Sequence, residues 1–332
     1  MALTNRTTTT RRGFTYAYYF SPATAGKPTL LFAHGFPTPA YVWRRQIAFF
    51  EPLGFGVVAP DMLGYGGTDK PVDPVAYLGS GLAQDIADVL DKEGIEQVIA
   101  VGHDWGTRVV SRLYNYHPER VLGCAFLASG YGPPASVYAD PIAQSEQIAA
   151  AVGYDIVAYM RYFVESDAHV LMEKNFDSFF SLLFPIQSDK EQIWRENMCV
   201  DGKAKAWIES NRTTELPPYI SAEDKAYYTT ALSSALAAPL CWYRGLTTPE
   251  HAADDARIPA ERHTLDRPVL FVAFNGDPIA IPAFGRATHA QYVPVAKNTE
   301  KSVDGDHWAL LSHADEVNKL VLEWLKTQGW AS

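Results

Sequence analysis

The stretch Val98-Ile99-Ala100-Val101-Gly102-His103-Asp104-Trp105-Gly106 decides how this chain is read. Four apolar, mostly β-branched residues form a buried strand, and the glycines at 102 and 106 bracket a single carboxylate. A strand-to-helix turn of the small-x-nucleophile-x-small kind holds its middle side chain at the strand tip, beside the N–H groups of the following helix. A serine at position 104 would suggest ester hydrolysis. An aspartate instead attacks saturated carbon and leaves an enzyme ester that water can open. An aspartate at such a junction can also serve as a helix N-cap, but an ordinary cap does not need small residues on both sides.

Working outward, short apolar or β-rich runs recur at Thr15–Tyr19, Thr29–Ala33, Gly56–Ala59, Val98–Val101, Val121–Leu127, Val269–Ala273 and Gln291–Val295. Helical patterns fall between several of them. One places Leu82, Ile86, Val89 and Leu90 on one face; the last places Val317, Leu320, Val321, Trp324 and Leu325 ahead of Gly329, a C′ candidate. The alternation predicts an α/β fold with a mostly parallel, doubly wound sheet. Strand signals stop between about Ala135 and Glu261, where Ser188-Asp189-Lys190-Glu191 and Ser221-Ala222-Glu223-Asp224 read as helix starts. The predicted organisation is a core over residues 1–134 and 262–332 with an inserted helical cap over 135–261. The aromatic cluster Phe176, Phe179, Phe180 and Phe184 reads as the core of that insertion.

Composition narrows the function classes. The 332 residues are 47% hydrophobic and 20% charged, enough for a full core, and the net charge of −10 disfavours nucleic acid or an anionic membrane as partner. No apolar run is long enough to span a bilayer. Cys124, Cys199 and Cys241 are odd in number and far apart, which suggests buried thiols in a reducing, cytoplasmic setting. The first twelve residues carry Arg6, Arg11 and Arg12, and no acid precedes Glu51, a composition shared with transit peptides. Against that reading, a strand begins near Phe14.

In open α/β sheets ligands bind beyond the carboxyl ends of the strands. Four such places carry chemistry: His34-Gly35-Phe36-Pro37, Asp104, Asn275-Gly276-Asp277 and Asp306-His307-Trp308. Asp104, Asp277 and His307 follow the order nucleophile, acid, histidine of an α/β-hydrolase triad. Asp304 and Asp306 are rival acids, yet a neighbour in sequence points away from an imidazole more easily than toward it. The backbone N–H groups of Phe36 and Trp105 are the expected oxyanion donors. His34, Pro37 and Trp105 are expected to line the substrate site.

These segments resemble the α/β-hydrolase-fold epoxide hydrolases, from about Leu30 to the C-terminus. His34-Gly35-Phe36-Pro37 is similar to the family's HGxP motif, Gly102–Gly106 to its nucleophile motif, and Asp61-Met62-Leu63-Gly64-Tyr65-Gly66 to the loop after its third strand. Tyr159-Met160-Arg161-Tyr162-Phe163 and Trp242-Tyr243-Arg244 resemble the cap segments that supply its paired phenols. The resemblance implies Tyr159 and Tyr243 as donors to the epoxide oxygen, with Tyr162 a rival at helical spacing. It implies a small apolar epoxide and water as substrates, with no cofactor or metal. Asp306 departs from the pattern, since the family has a small residue before the histidine. Two other classes compete. A haloalkane dehalogenase uses the same Asp and His, but a departing halide needs no phenolic proton and Phe36 stands where one dehalogenase group has a halide-binding Asn. A binding protein on an inert scaffold would not need every catalytic residue type.

Overall fold

The computed structural model describes residues 4–24, 26–135, 137–186 and 190–331, with the side chains of 190 and 191 excepted. Eight strands form one sheet: β1 (Arg6–Thr9), β2 (Thr15–Ser21), β3 (Thr29–Ala33), β4 (Gly56–Pro60), β5 (Val98–His103), β6 (Val121–Leu127), β7 (Val269–Phe274) and β8 (Asn298–Val303). Their order is β1-β2-β4-β3-β5-β6-β7-β8. The β1–β2 and β2–β4 pairs are antiparallel and all others parallel. Every residue of β3, β4, β5 and β7 is buried, as required of strands covered by helices on both faces.

Register brings the loops together. Ala33 pairs with Gly102, His103 with Leu127, and Phe274 with Val303, so the segments after β3, β5, β6, β7 and β8 leave the sheet at one edge. The helix Gly79–Lys92 buries Leu82, Ile86, Val89 and Leu90, and the helix Ala314–Thr327 buries Val317, Val321, Trp324 and Leu325. Gly329 has φ of +75°, the left-handed conformation that ends a helix cheaply only at glycine.

Two edge strands differ from the sequence reading. The expected strand at Gln291–Val295 is not one: Gln291 and Tyr292 end the helix Pro282–Tyr292, and Val295 is 91% exposed. The edge strand is β8, Asn-Thr-Glu-Lys-Ser-Val, in which only Val303 is buried. An edge strand needs only one ladder of backbone hydrogen bonds, so its polar side chains give no hydrophobic signal. The same holds for β1. Its neighbours Arg11 and Arg12 are also part of the fold, pairing with Asp88 and Asp91 and with Asp85 on the helix Gly79–Lys92.

Between β6 and β7 the described residues contain helices and no strand. Ser221 caps the helix Ala222–Leu232 in a reciprocal capping box with Asp224. The other expected helix start, at Ser188, lies outside the described residues. Phe176, Phe179, Phe180 and Phe184 are all buried, each worth roughly 1.5–3 kcal/mol by apolar transfer. They also reach the sheet side of the molecule: Phe184 stacks on Trp308 at 4.4 Å and Phe179 meets the Phe36 ring at 6.2 Å. Hydrogen bonds fasten the same seam, from Trp242 Nε1 to the Leu63 carbonyl, Trp308 Nε1 to the Leu183 carbonyl, and the Tyr154 hydroxyl to the Pro278 carbonyl. Among the described residues no helix is long and apolar enough to cross a membrane.

Candidate active site

Asp104 occupies the turn between β5 and the helix Trp105–Tyr116 with φ 54° and ψ −126°. For a residue other than glycine such a conformation costs about 1–3 kcal/mol. Close packing explains the neighbours: a Cβ on Gly106 would strike the Ala33 carbonyl, one on Gly102 would lie 2.5 Å from the Gly106 carbonyl oxygen, and one on Gly35 would strike the Asp104 carboxylate. Although Asp104 stands at the N-cap position, its side chain makes no capping hydrogen bond. Its Oδ1 accepts instead from the Phe36 N–H at 2.8 Å, across the β3–β5 strand pair. The Trp105 N–H is the second donor to the same carboxylate. Loss of hydration raises the Asp104 carboxyl above the usual range, while His307 and these two N–H groups pull it back.

His307 is buried and lies between two carboxylates. Its Nδ1 is 2.7 Å from Asp277 Oδ2, and its Nε2 is 3.8 Å from Asp104 Oδ2. Asp277 Oδ1 accepts from the Ile279 and Ala280 N–H groups at 3.0 and 2.9 Å. Burial pushes the Asp277 carboxyl up, but His307 and these two N–H donors outweigh it and hold it below the ordinary range. The rival acids are occupied elsewhere: Asp304 accepts from the Asn275 amide at 2.7 Å, and Asp306 from the Trp308 N–H at 2.7 Å.

A cavity of about 240 Å³ opens over Asp104, walled by Trp105, Thr107, Arg108, Ser129, Tyr159 and Ile279 among others. Tyr159 and Tyr243 meet edge to face at 5.9 Å, and Tyr243 packs against Trp105 and Phe36, each at 5.1 Å. Tyr243 and Trp105 act on the neighbouring phenols to lower their proton affinity slightly against the effect of burial. Burial, together with the nearby Asp104 charge, holds both phenols protonated far above neutral pH. Tyr162 is turned away: its hydroxyl donates to the Ala168 carbonyl at 3.0 Å and Lys205 covers its ring. Tyr159, not Tyr162, faces the carboxylate.

His34 and Pro37 are not among the residues that wall the cavity. His34 is 1% exposed; its Nε2 accepts from the Met62 N–H at 2.8 Å and its Nδ1 donates to the Gly35 carbonyl. Burial pushes its pKa down to about 3, so it is a neutral tie between the loops after β3 and β4. The Phe36–Pro37 bond is cis. Two residues near the imidazole were not singled out from sequence. His103 Nε2 donates to the His307 carbonyl at 2.8 Å, and the Trp194 ring lies 5.4 Å from the His307 ring. His103 sits inside the nucleophile motif, which was the available signal; Trp194 carried none.

The family model described as the alpha/beta hydrolase fold matches residues 28–314. This chain belongs to the α/β-hydrolase fold family. Within that family it is 30% identical to epoxide hydrolase A of Mycobacterium tuberculosis over 306 residues, 90% of this chain and 91% of that protein. It is 26% identical over 303 residues to the rat bifunctional epoxide hydrolase 2, covering 91% of this chain but only 52% of that longer protein. The crystal structure of epoxide hydrolase A from Mycobacterium thermoresistibile superposes with a TM-score of 0.77 at 29% identity, covering 97% of both chains. An epoxide hydrolase from an endophytic Streptomyces, at 21% identity and TM-score 0.79 over 97% of this chain and 94% of that one, adds likeness of fold alone.

Proposed function

We propose that this α/β-hydrolase opens epoxides to vicinal diols through a covalent ester on Asp104, beneath a helical cap formed by residues 135–261. Asp104 Oδ2 attacks one oxirane carbon, the carbon–oxygen bond breaks, and the departing alkoxide takes one proton from the Tyr159 and Tyr243 pair, one phenol giving it and the other donating a hydrogen bond. A phenol suits this step because an alkoxide is far more basic than a phenolate. In the second step His307 removes a proton from water, and the resulting hydroxide attacks the ester carbonyl carbon. Asp277 keeps the imidazole in the required tautomer and stabilises the imidazolium. Negative charge on the carbonyl oxygen develops where the Phe36 and Trp105 N–H groups point. Collapse breaks the bond between the carbonyl carbon and the alkyl oxygen, that oxygen takes the imidazolium proton to complete the diol, and the proton left on the Asp104 carboxyl returns to the tyrosinate.

The observation that carries this reading is one cavity whose walls include both the Asp104 carboxylate and the Tyr159 phenol, with Tyr243 edge to face against it. Halide departure would leave those phenols without a task. The test is a panel of small terminal and aryl epoxides beside chloro- and bromoalkanes of matched size. Diol formation without halide release supports the reading; halide release without diol would replace it with dehalogenation.

A further inference from the structure

We infer that the cavity takes epoxides bearing an anionic group, a carboxylate in the first instance, held by Arg108 a short spacer from the oxirane. The inference rests on the epoxide reading and adds the substrate class. Arg108 lies in the first turn of the helix Trp105–Tyr116, which starts directly after Asp104, and both residues wall the cavity. Ile156, Val157 and Ile279 supply apolar lining to the same cavity. The lining is therefore mixed, not uniformly apolar.

The Arg108 side chain is 16% exposed and only part of its guanidinium is engaged. Nη2 donates to His251 Nδ1 at 3.1 Å and stands 3.6 Å from Asp255. Asp255 belongs chiefly to Arg112, which grips it through Nε at 2.7 Å and Nη2 at 2.5 Å, with the Ala135 N–H as a further donor. Among the described residues, Arg108 Nε and Nη1 donate to no protein acceptor, leaving N–H groups that can each donate to an anion.

Local charge sets where an anion can sit. Arg108 and Arg112 face Asp255, and His251 adds no charge, since burial and Arg108 push its pKa down to about 3. The Asp104 carboxylate in the same cavity places the anion at the Arg108 end and not beside the nucleophile. Burial also holds Arg108 low, to about 9, which leaves it cationic at pH 7. A half-satisfied cation in a desolvated wall is costly, and a bound anion removes that cost. The net charge of −10 does not oppose this contact, because surface charges more than about 8 Å away are largely screened at physiological salt. A cavity of about 240 Å³ with Ile156, Val157 and Ile279 in its lining suits a compact apolar body on the rest of the molecule.

Calorimetric titration of the unaltered protein with 3-phenylpropanoate and with 3-phenylpropanamide tests anion binding apart from turnover. The carboxylate is expected to bind at least ten-fold more tightly, with the ratio falling to near one in Arg108→Gln and partly kept in Arg108→Lys. Equal affinities in the unaltered protein, or tighter binding of the amide, overturn the inference whatever the variants do. The parallel comparison is kcat/KM for 3-phenylglycidate against 3-phenylglycidamide, where the same preference is expected through KM. If the amide epoxide is opened as fast as the acid, the inference fails and the epoxide reading stands. If neither is opened while the carboxylate still binds selectively, the epoxide reading fails and the anion site stands.

Discussion

His307 Nε2 lies 3.8 Å from Asp104 Oδ2, beyond hydrogen-bond reach, while its Nδ1 is held at 2.7 Å by Asp277. With Nδ1 bound to Asp277, Nε2 is the ring nitrogen on the Asp104 side. That separation leaves Asp104 Oδ2 unbonded to the imidazole and puts Nε2 on the side from which water would reach the ester. Replacing Asp277 with Asn should favour the wrong tautomer and slow the hydrolytic step by about 10⁴-fold, the loss typical of a triad with its orienting carboxylate neutralised. Single-turnover kinetics check this: ester formation should persist while diol release stalls.

The two phenols should separate from their neighbour by kinetics. Tyr159→Phe and Tyr243→Phe are each expected to slow ring opening about 10²–10⁴-fold, the usual range for a positioned proton donor. Tyr162→Phe should leave kcat within a few-fold of the parent and cost about 0.5–1.5 kcal/mol of stability through its lost bond to Ala168. Stopped-flow tryptophan fluorescence with chemical denaturation distinguishes the two patterns.

Stability should fall on acidification over two windows. His34 has a folded pKa near 3 against an ordinary value of about 6.5, so the unfolded chain binds the extra proton between those pH values. Stability therefore drops as pH falls from about 6.5 toward 3, at up to about 1.4 kcal/mol per unit from this group. Asp277, held below the usual carboxylate value, contributes stability above about pH 4 that is lost as pH falls through its lowered folded value. Urea unfolding from pH 8 to pH 4 should show this acid slope. In His34→Asn the slope should flatten, with some stability lost at pH 7 because the Met62 bond weakens.

What could be read from the sequence follows how locally each feature is specified. The inner strands announce themselves because burial on both faces makes them continuous apolar runs; β5, at Val98–His103, is the plainest. The edge strands β1 and β8 do not, since partnered on one side and wetted on the other they need no apolar residues. The Gly102–Gly106 spacing marks the turn because only small residues fit there. Tyr159 and Tyr162 have similar flanks, and the hydroxyl bond from Tyr162 to Ala168 that tells them apart is tertiary. His34 stands in a chemistry-bearing motif yet serves as a neutral strut. Arg108 is an ordinary helical arginine in sequence; its unengaged donors become visible only once Arg112 is seen to hold Asp255.

The most direct test of the central claim is the intact mass of a His307→Gln variant after incubation with an epoxide that the unaltered enzyme converts to diol. Blocking the second step should trap the first, giving a mass increase equal to that of the whole substrate, mapped by peptide analysis to Asp104. An unmodified protein, or an adduct on any other side chain, would contradict the proposed ester on that carboxylate.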